Sequence, residues 1–220
     1  TWTSPACSPA TSWARPSLGR AEPWGKNLRR GRGKRTQRAT ILLVTNGGKT
    51  EKTYLGMLKD RVPRGSGLSI KMSWHDGKEP GTILKNLLRP RTGLAEYDEV
   101  WIVVDHDGTD RTQFLAECQK ITRPKVIGVV SVPCFEVWLN AHYGPVRNYQ
   151  SQEDAQRHYL KLTGLPAKER KSLPADFPFD SFTRACPNSR LSGIALPETN
   201  AQGPCPSTTM PHLLKRLGLL

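Results

Sequence analysis

Residues 98–108 read DEVWIVVDHDG. The middle is an unbroken run of β-branched and aromatic side chains, apolar on both alternating faces. Such a run belongs to a strand covered on both sides, as in a parallel sheet sandwiched between helices. The run closes on Asp105, with Asp107 two residues later. Side chains two apart at a strand end leave on the same side, so the two carboxylates can share one hard divalent cation, Mg2+ or Mn2+. The same DHDG is equally an acidic turn ending at Gly108, and the pair alone does not choose between the two.

Working outward, apolar runs and helical patterns alternate. ILLVT (41–45) reads as a strand with NGG as its turn. Thr50 is placed to cap a helix TEKTYLGMLKDR, with Tyr54, Leu55 and Leu58 on one face and Pro63 beyond its end. Strands are expected at 68–74 and over VIGVVSV (126–132), and helices at 81–88, 109–121 and 151–162. Pro133 opens a helix CFEVWLNAHY, and a short last helix covers 213–219. The alternation predicts an α/β, Rossmann-like parallel sheet flanked by helices, with ligands beyond the carboxyl ends of its strands. Residues 165–206 hold seven prolines and little periodicity, and read as an irregular wrap or a loose segment rather than a second domain.

Three further groups can carry chemistry. In NGGKTE, Gly47 and Gly48 let the backbone approach a phosphate, and Lys49 adds charge at a helix N-terminus. The segment has only the G-G-K-T part of a full phosphate loop, so a glycine turn before a helix reads as well. Glu136 and Asn140 lie one turn apart, and Glu136 can complete a metal site begun by Asp105 and Asp107; alone it reads as a dipole-stabilised surface residue. His142 reads as a partly buried helix-end residue. Ser207, Thr208 and Thr209 read as capping residues, and without a G-x-S-x-G elbow serine-hydrolase chemistry has no anchor.

The chain has 220 residues, 36% hydrophobic, with 18 Pro and 19 Gly, which implies a core on only part of its length. Its formal charge of +14 favours polyanions, DNA or RNA, over acidic small molecules. Residues 1–40 carry nine Lys/Arg against one acidic residue, net +8, so most of the excess belongs to an expected basic, disordered arm. Arg29, Arg30, Arg32, Lys34, Arg35 and Arg38 are its candidate nucleic-acid contacts. Five widely spaced cysteines without a C-x-x-C pair fit neither a disulfide framework nor a zinc ribbon. No run is long enough to span a bilayer and no secretory signal is evident, so a cytoplasmic protein with no membrane association is expected.

In this order and spacing, TNGGKTEKTYL (45–55), WIVVDHDG (101–108), VPCFEVWLNAHY (132–143) and PSTTMPHLL (206–214) resemble the RloB family. That family consists of bacterial proteins with a Toprim-like core, associated with phage defence. The resemblance implies a domain over 41–220 and a Mg2+- or Mn2+-dependent nuclease that hydrolyses phosphodiesters in antiviral defence by abortive infection, with a defence-system ATPase as a possible kind of partner. Asp105 and Asp107 match the Toprim D-x-D. Lys49, Thr50, Glu51, Cys134, Phe135, Glu136 and Trp138 also match the family pattern. The implied metal ligands are Asp105, Asp107, Glu136 and Asn46, the catalytic carboxylates Asp105, Asp107, Glu136 and Glu51, and the phosphate site Lys49, Gly47 and Gly48.

The family usually reads C-E-G-E-K-T-E where this chain has Thr45-Asn46-Gly47-Gly48-Lys49-Thr50-Glu51. Asn46 can offer a carbonyl oxygen but neither charge nor a base, which weakens the expected catalysis. Two other readings follow. One is a non-catalytic nucleic-acid-binding module, motivated by Asn46 and the basic arm. The other is a phosphatase of the haloacid dehalogenase type, since DHDGT fits its D-x-D-G-T with Asp105 as nucleophile. The latter is weaker, because that motif normally opens its fold and here follows two βα units.

Overall fold

The computed structural model describes residues 38–220. Four parallel strands, β1 (Ala39–Thr45), β2 (Leu68–Trp74), β3 (Glu99–Asp105) and β4 (Lys125–Val132), form a sheet in the order β2-β1-β3-β4. A two-residue β5 (Ser207–Thr208) joins β4 antiparallel. Crossovers are α1 (Thr50–Arg61), α2 (Pro80–Leu87) and α3 (Thr112–Gln119); α4 (Glu136–Tyr143), α5 (Gln152–Thr163), α6 (Phe182–Asn188) and α7 (Met210–Arg216) complete the fold. The α/β architecture read from the alternating pattern is the one observed.

Strand alternation divides the core in two. Ile41, Leu43, Trp101, Val103, Ile127 and Val129 face a large cluster with α1, α4, α5 and α7. Leu42, Val44, Val100, Ile102, Val104, Val126 and Val130 face a smaller one with α2 and α3. Both faces of the central strands are thus dry, which is why their sequences lack polar alternation. Gly128 lets α3 close on β4: a Cβ there would lie 2.5 Å from Leu115 Cδ2.

The free side of β4 is closed by the chain's last third. Beyond β5, the Val130 N–H donates to Thr209 Oγ1 (3.0 Å), and Asn200 accepts from Gly128 N–H (2.6 Å) and donates to the Val126 carbonyl (3.3 Å). A loop thus takes the place of an edge strand. Ser207 and Thr208 are ladder residues, and Thr208 is also a cap: its Oγ1 lies 2.8 Å from Ser131 Oγ and accepts from the Met210 N–H (3.2 Å) at the start of α7.

The proline-rich segment 165–206 is a wrap, not a loose region. It contains α6 and buries Phe177, Phe179 and Phe182 in the larger core. Two local expectations change. Thr50 is the first residue of α1 and is buried, with Lys49 at the cap position and no side-chain cap bond. Helix α4 begins at Glu136, so Cys134 and Phe135 form the turn before it. No disulfide joins the cysteines of the described residues, and no helix among them is long and apolar enough to cross a membrane.

Candidate functional site

After β1 the chain turns to the face that carries α1, and after β3 to the face that carries α3. A crevice therefore opens between the carboxyl ends of β1 and β3, the switch point where α/β sheets gather ligands. Asp105 follows Trp101 and Val103 in alternation, so it points to the α1 and α4 side. The first turn of α1 supplies Glu51 and that of α4 supplies Glu136. Three carboxylates from separate parts of the sequence, with Asp107, therefore line one cleft of about 180 Å3.

The DHDG turn is fixed by its neighbours. His106 N–H donates to the Ser131 carbonyl (3.0 Å) and Asp107 N–H to that of Pro133 (3.1 Å). Asp107 has φ 49° and Gly108 φ 71°, two successive left-handed residues that turn the chain sharply at the strand end. Arg111 is buried, with Nε donating to the Asp105 carbonyl (3.0 Å) and a terminal nitrogen to Glu79 (2.7 Å). The loops after β1 and β2 are zipped together by His75 N–H to the Thr45 carbonyl (2.9 Å) and Gly77 N–H to that of Asn46 (3.1 Å). That zip brings Asp76 over Gly48, where a Cβ would lie 2.4 Å from Asp76 Oδ1. A carboxylate from the β2 loop thus occupies the space a residue-48 side chain would need.

Negative charge in the cleft is poorly offset. Burial, then the charges of Glu51, Glu136 and Asp107, push the Asp105 carboxyl well above the ordinary range, while the Phe135 backbone N–H opposes. Burial also raises Glu51, with Glu136 adding to it and its own backbone N–H and Lys171 opposing. Glu136 is raised by burial and by Asp107, against hydrogen bonding from Cys134 and its own backbone. Oxygen donors in excess of cations are the chemistry that suits Mg2+ or Mn2+. Among the described residues no three His, Cys, Asp or Glu side chains already stand as an ion cage; an ion would have to draw the carboxylates inward.

The structure brings Asn46, Gly47, Gly48, Lys49, Glu51, Asp105, Asp107 and Glu136 to this cleft. It does not bring Arg38, which is exposed before the amino end of β1, beside Lys59 and Arg64. Arg29, Arg30, Arg32, Lys34 and Arg35 lie outside the described residues. Asn140 turns inward to donate to Tyr149 Oη (2.9 Å) and the Ala155 carbonyl (3.1 Å), holding α5. His142 is buried rather than half-exposed. A larger groove of about 630 Å3 beside Arg61 has one carboxylate, Asp180, already paired with that arginine.

Sequence reading missed Asp76, Gln152, Gln156 and Lys171 in the cleft wall. Asp76 had a signal, since it lies two residues past the end of β2. Lys171 had none, because it comes from the aperiodic wrap. Gly47 supports the site sterically: a Cβ there would lie 2.0 Å from the Glu51 carboxyl carbon. Gly47→Ala is therefore expected to swing the flexible Glu51 carboxylate out of the cleft. Stability should stay within about 1 kcal/mol, and Mn2+ titration should show affinity little changed, the expected ligands being Asp105, Asp107 and Glu136; a large loss of Mn2+ affinity would show that Glu51 also serves the ion.

A family model described as RloB-like protein matches residues 41–217. No curated protein and no solved structure matches the chain.

Proposed function

The chain belongs to the RloB-like family, and on that footing we propose that it is a metal-dependent nuclease of Toprim type that hydrolyses phosphodiester bonds in antiviral defence. The observation that carries the reading is the meeting of Glu51, Asp105, Asp107 and Glu136 in one cleft at the sheet's switch point, with Lys49 and Lys171 beside them. Asp105, Asp107 and Glu136 would hold Mg2+ or Mn2+, and the Asn46 carbonyl oxygen can add a neutral ligand. A bound ion would offset charge developing on the phosphate. Lys49, next to the Gly47–Gly48 turn, meets a non-bridging phosphate oxygen, and Lys171 meets the chain from the opposite segment. The Glu51 carboxylate, whose proton affinity is raised by burial, is suited to take the proton of an attacking water at neutral pH. Placement of the activity in defence, with an ATPase partner, rests on the family resemblance.

The direct test is cleavage of DNA and RNA with Mg2+ or Mn2+ by the native protein and by Asp105→Ala. Metal-dependent cleavage lost in the variant supports the reading; equal activity in both, or none with either metal, removes it.

Asn46 favours a second reading, a module that binds nucleic acid without cutting it. Asn46→Glu separates the two. If the chain is a weakened nuclease, the variant should cleave faster and bind Mn2+ more tightly, because an anionic ligand replaces a neutral one. Asp76 over Gly48 already supplies one extra carboxylate, so the native protein is expected to retain some activity without that change. Metal-independent binding that weakens steeply with salt, with no cleavage in either form, would favour the module.

A further inference from the structure

We propose that Trp74 and Lys52 form a stacking subsite for an unpaired nucleobase at the rim of the carboxylate cleft, so that the substrate is single-stranded nucleic acid. The inference rests on the nucleic-acid reading above and adds the strandedness and the residue that selects it.

Leu68, Ile70 and Met72 of β2 pack toward the larger core, and strand alternation sends Trp74 to the same side, one step beyond the buried part of the strand. Its side chain is 51% exposed. Among the described residues the other exposed large apolar side chains, Leu88, Ile194 and Leu220, are aliphatic, and none is carried by a strand that leads into the cleft. Trp74 is paired in register with Thr45, the residue before Asn46, and stands two residues before Asp76, so the strand end that carries the indole runs directly into two loops that line the cleft.

The ring is also held. Lys52 follows Glu51 on α1, and its ammonium lies 3.7 Å from the indole centroid, within cation–π range. An indole steadied by a cation and half in water offers a flat surface that a base can cover. The same ammonium adds a charge beside the phosphate path past Lys49. In a duplex, neighbouring pairs cover the faces of each base, so only a splayed or single-stranded base can reach such a ring. Stacking tolerates every base, because each has a π-face. The subsite therefore selects for single strands rather than for a sequence.

The test measures binding by the full chain in EDTA, so that cleavage does not intervene, using fluorescently labelled single-stranded 12-mers. One carries bases and the other is abasic with the same phosphates; a duplex of the same sequence is the third probe. The native protein is expected to prefer the base-bearing strand over the abasic one by roughly 5- to 150-fold. Trp74→Ala should remove most of that preference while leaving abasic affinity unchanged, and Trp74→Phe should keep part of it. Basic residues contact phosphates in both strands alike, so they do not produce the difference. A preference that survives in Trp74→Ala overturns the subsite, as does equal native affinity for the base-bearing and abasic strands, and in both cases the nucleic-acid reading stands. Tighter binding of the duplex overturns the single-strand selection. Binding of no probe by the native protein, either in EDTA or with Ca2+ in its place, ends the nucleic-acid reading and the subsite with it.

Discussion

Asp105→Asn is expected to move activity and stability in opposite directions. Under the proposed reaction, cleavage should fall by at least about 10²-fold, since losing even an outer-shell partner of a metal ligand typically costs 10- to 100-fold. In the same variant the metal-free protein should melt higher at neutral pH. Asp105 is crowded by Glu51, Glu136 and Asp107, with a peptide N–H as its one compensating contact there. Removing a poorly compensated charge is worth about 1–3 kcal/mol, or roughly 3–10 °C in a domain of this size.

The sign of the pH dependence follows. Asp105, Glu51 and Glu136 all bind a proton more tightly when folded than when unfolded. Their contribution to the metal-free fold is present below the ordinary carboxylate range and is lost as pH rises through the raised values. The Tm in EDTA should therefore carry a component that falls with rising pH, and Asp105→Asn should flatten it. Calorimetry between pH 4 and 8, with and without Mg2+, reads both effects. A variant that melts lower than the native protein at pH 7.5 in EDTA would show that the cleft is not under electrostatic strain.

The sheet was legible because it obeys a simple rule: a strand dry on both faces is apolar throughout, as in DEVWIVVD and VIGVVSV. Span 68–74 was readable from its Leu68, Ile70 and Met72 alternation. The carboxylate cleft was half legible. Asp105, Glu51 and Glu136 each follow a strand's carboxyl end, so the rule that ligands collect there finds them. What periodicity cannot show is which loops are zipped together. Asp76 enters the site through two backbone hydrogen bonds between the β1 and β2 loops, and such bonds leave no trace in residue type. Lys171 and the phenylalanines of the wrap were hidden for a related reason. An aperiodic segment with many prolines reads as loose, yet prolines also fix extended backbone, and here that backbone is held by buried rings. Ser207–Thr208 was half legible, because one hydroxyl residue can cap a helix and pair across a ladder, and Thr208 does both.

His142 carries the second large effect. Its Nδ1 lies 3.1 Å from the Pro178 carbonyl and 3.0 Å from Ser181 Oγ, and its Nε2 3.0 Å from Tyr54 Oη. The carbonyl can only accept, so the proton sits on Nδ1 and the tyrosine hydroxyl donates to Nε2. The neutral ring thereby joins α1, α4 and the wrap, with Trp138, Phe177 and Phe182 packed around it. Burial pulls its pKa from 6.5 down to about 4. The unfolded chain binds the proton first, so His142 withdraws stability as pH falls from 6.5 toward 4, by up to about 3 kcal/mol. His142→Ala should remove that acid-side slope. It should also cost about 3–5 kcal/mol at neutral pH, from the cavity and the stranded Tyr54 hydroxyl, or roughly 10 °C in Tm. The loss reaches the cleft through the chain itself. Pro178 and Ser181 are what His142 holds, and Lys171 belongs to the same wrap a few residues earlier, so proteolysis within 165–181 should quicken in the variant. Slower melting loss than this, with an acid slope as steep as the native one, would place the acid sensitivity elsewhere; the steep slope vanishing together with protection of the wrap would tie the buried ring to the cation that faces the carboxylates.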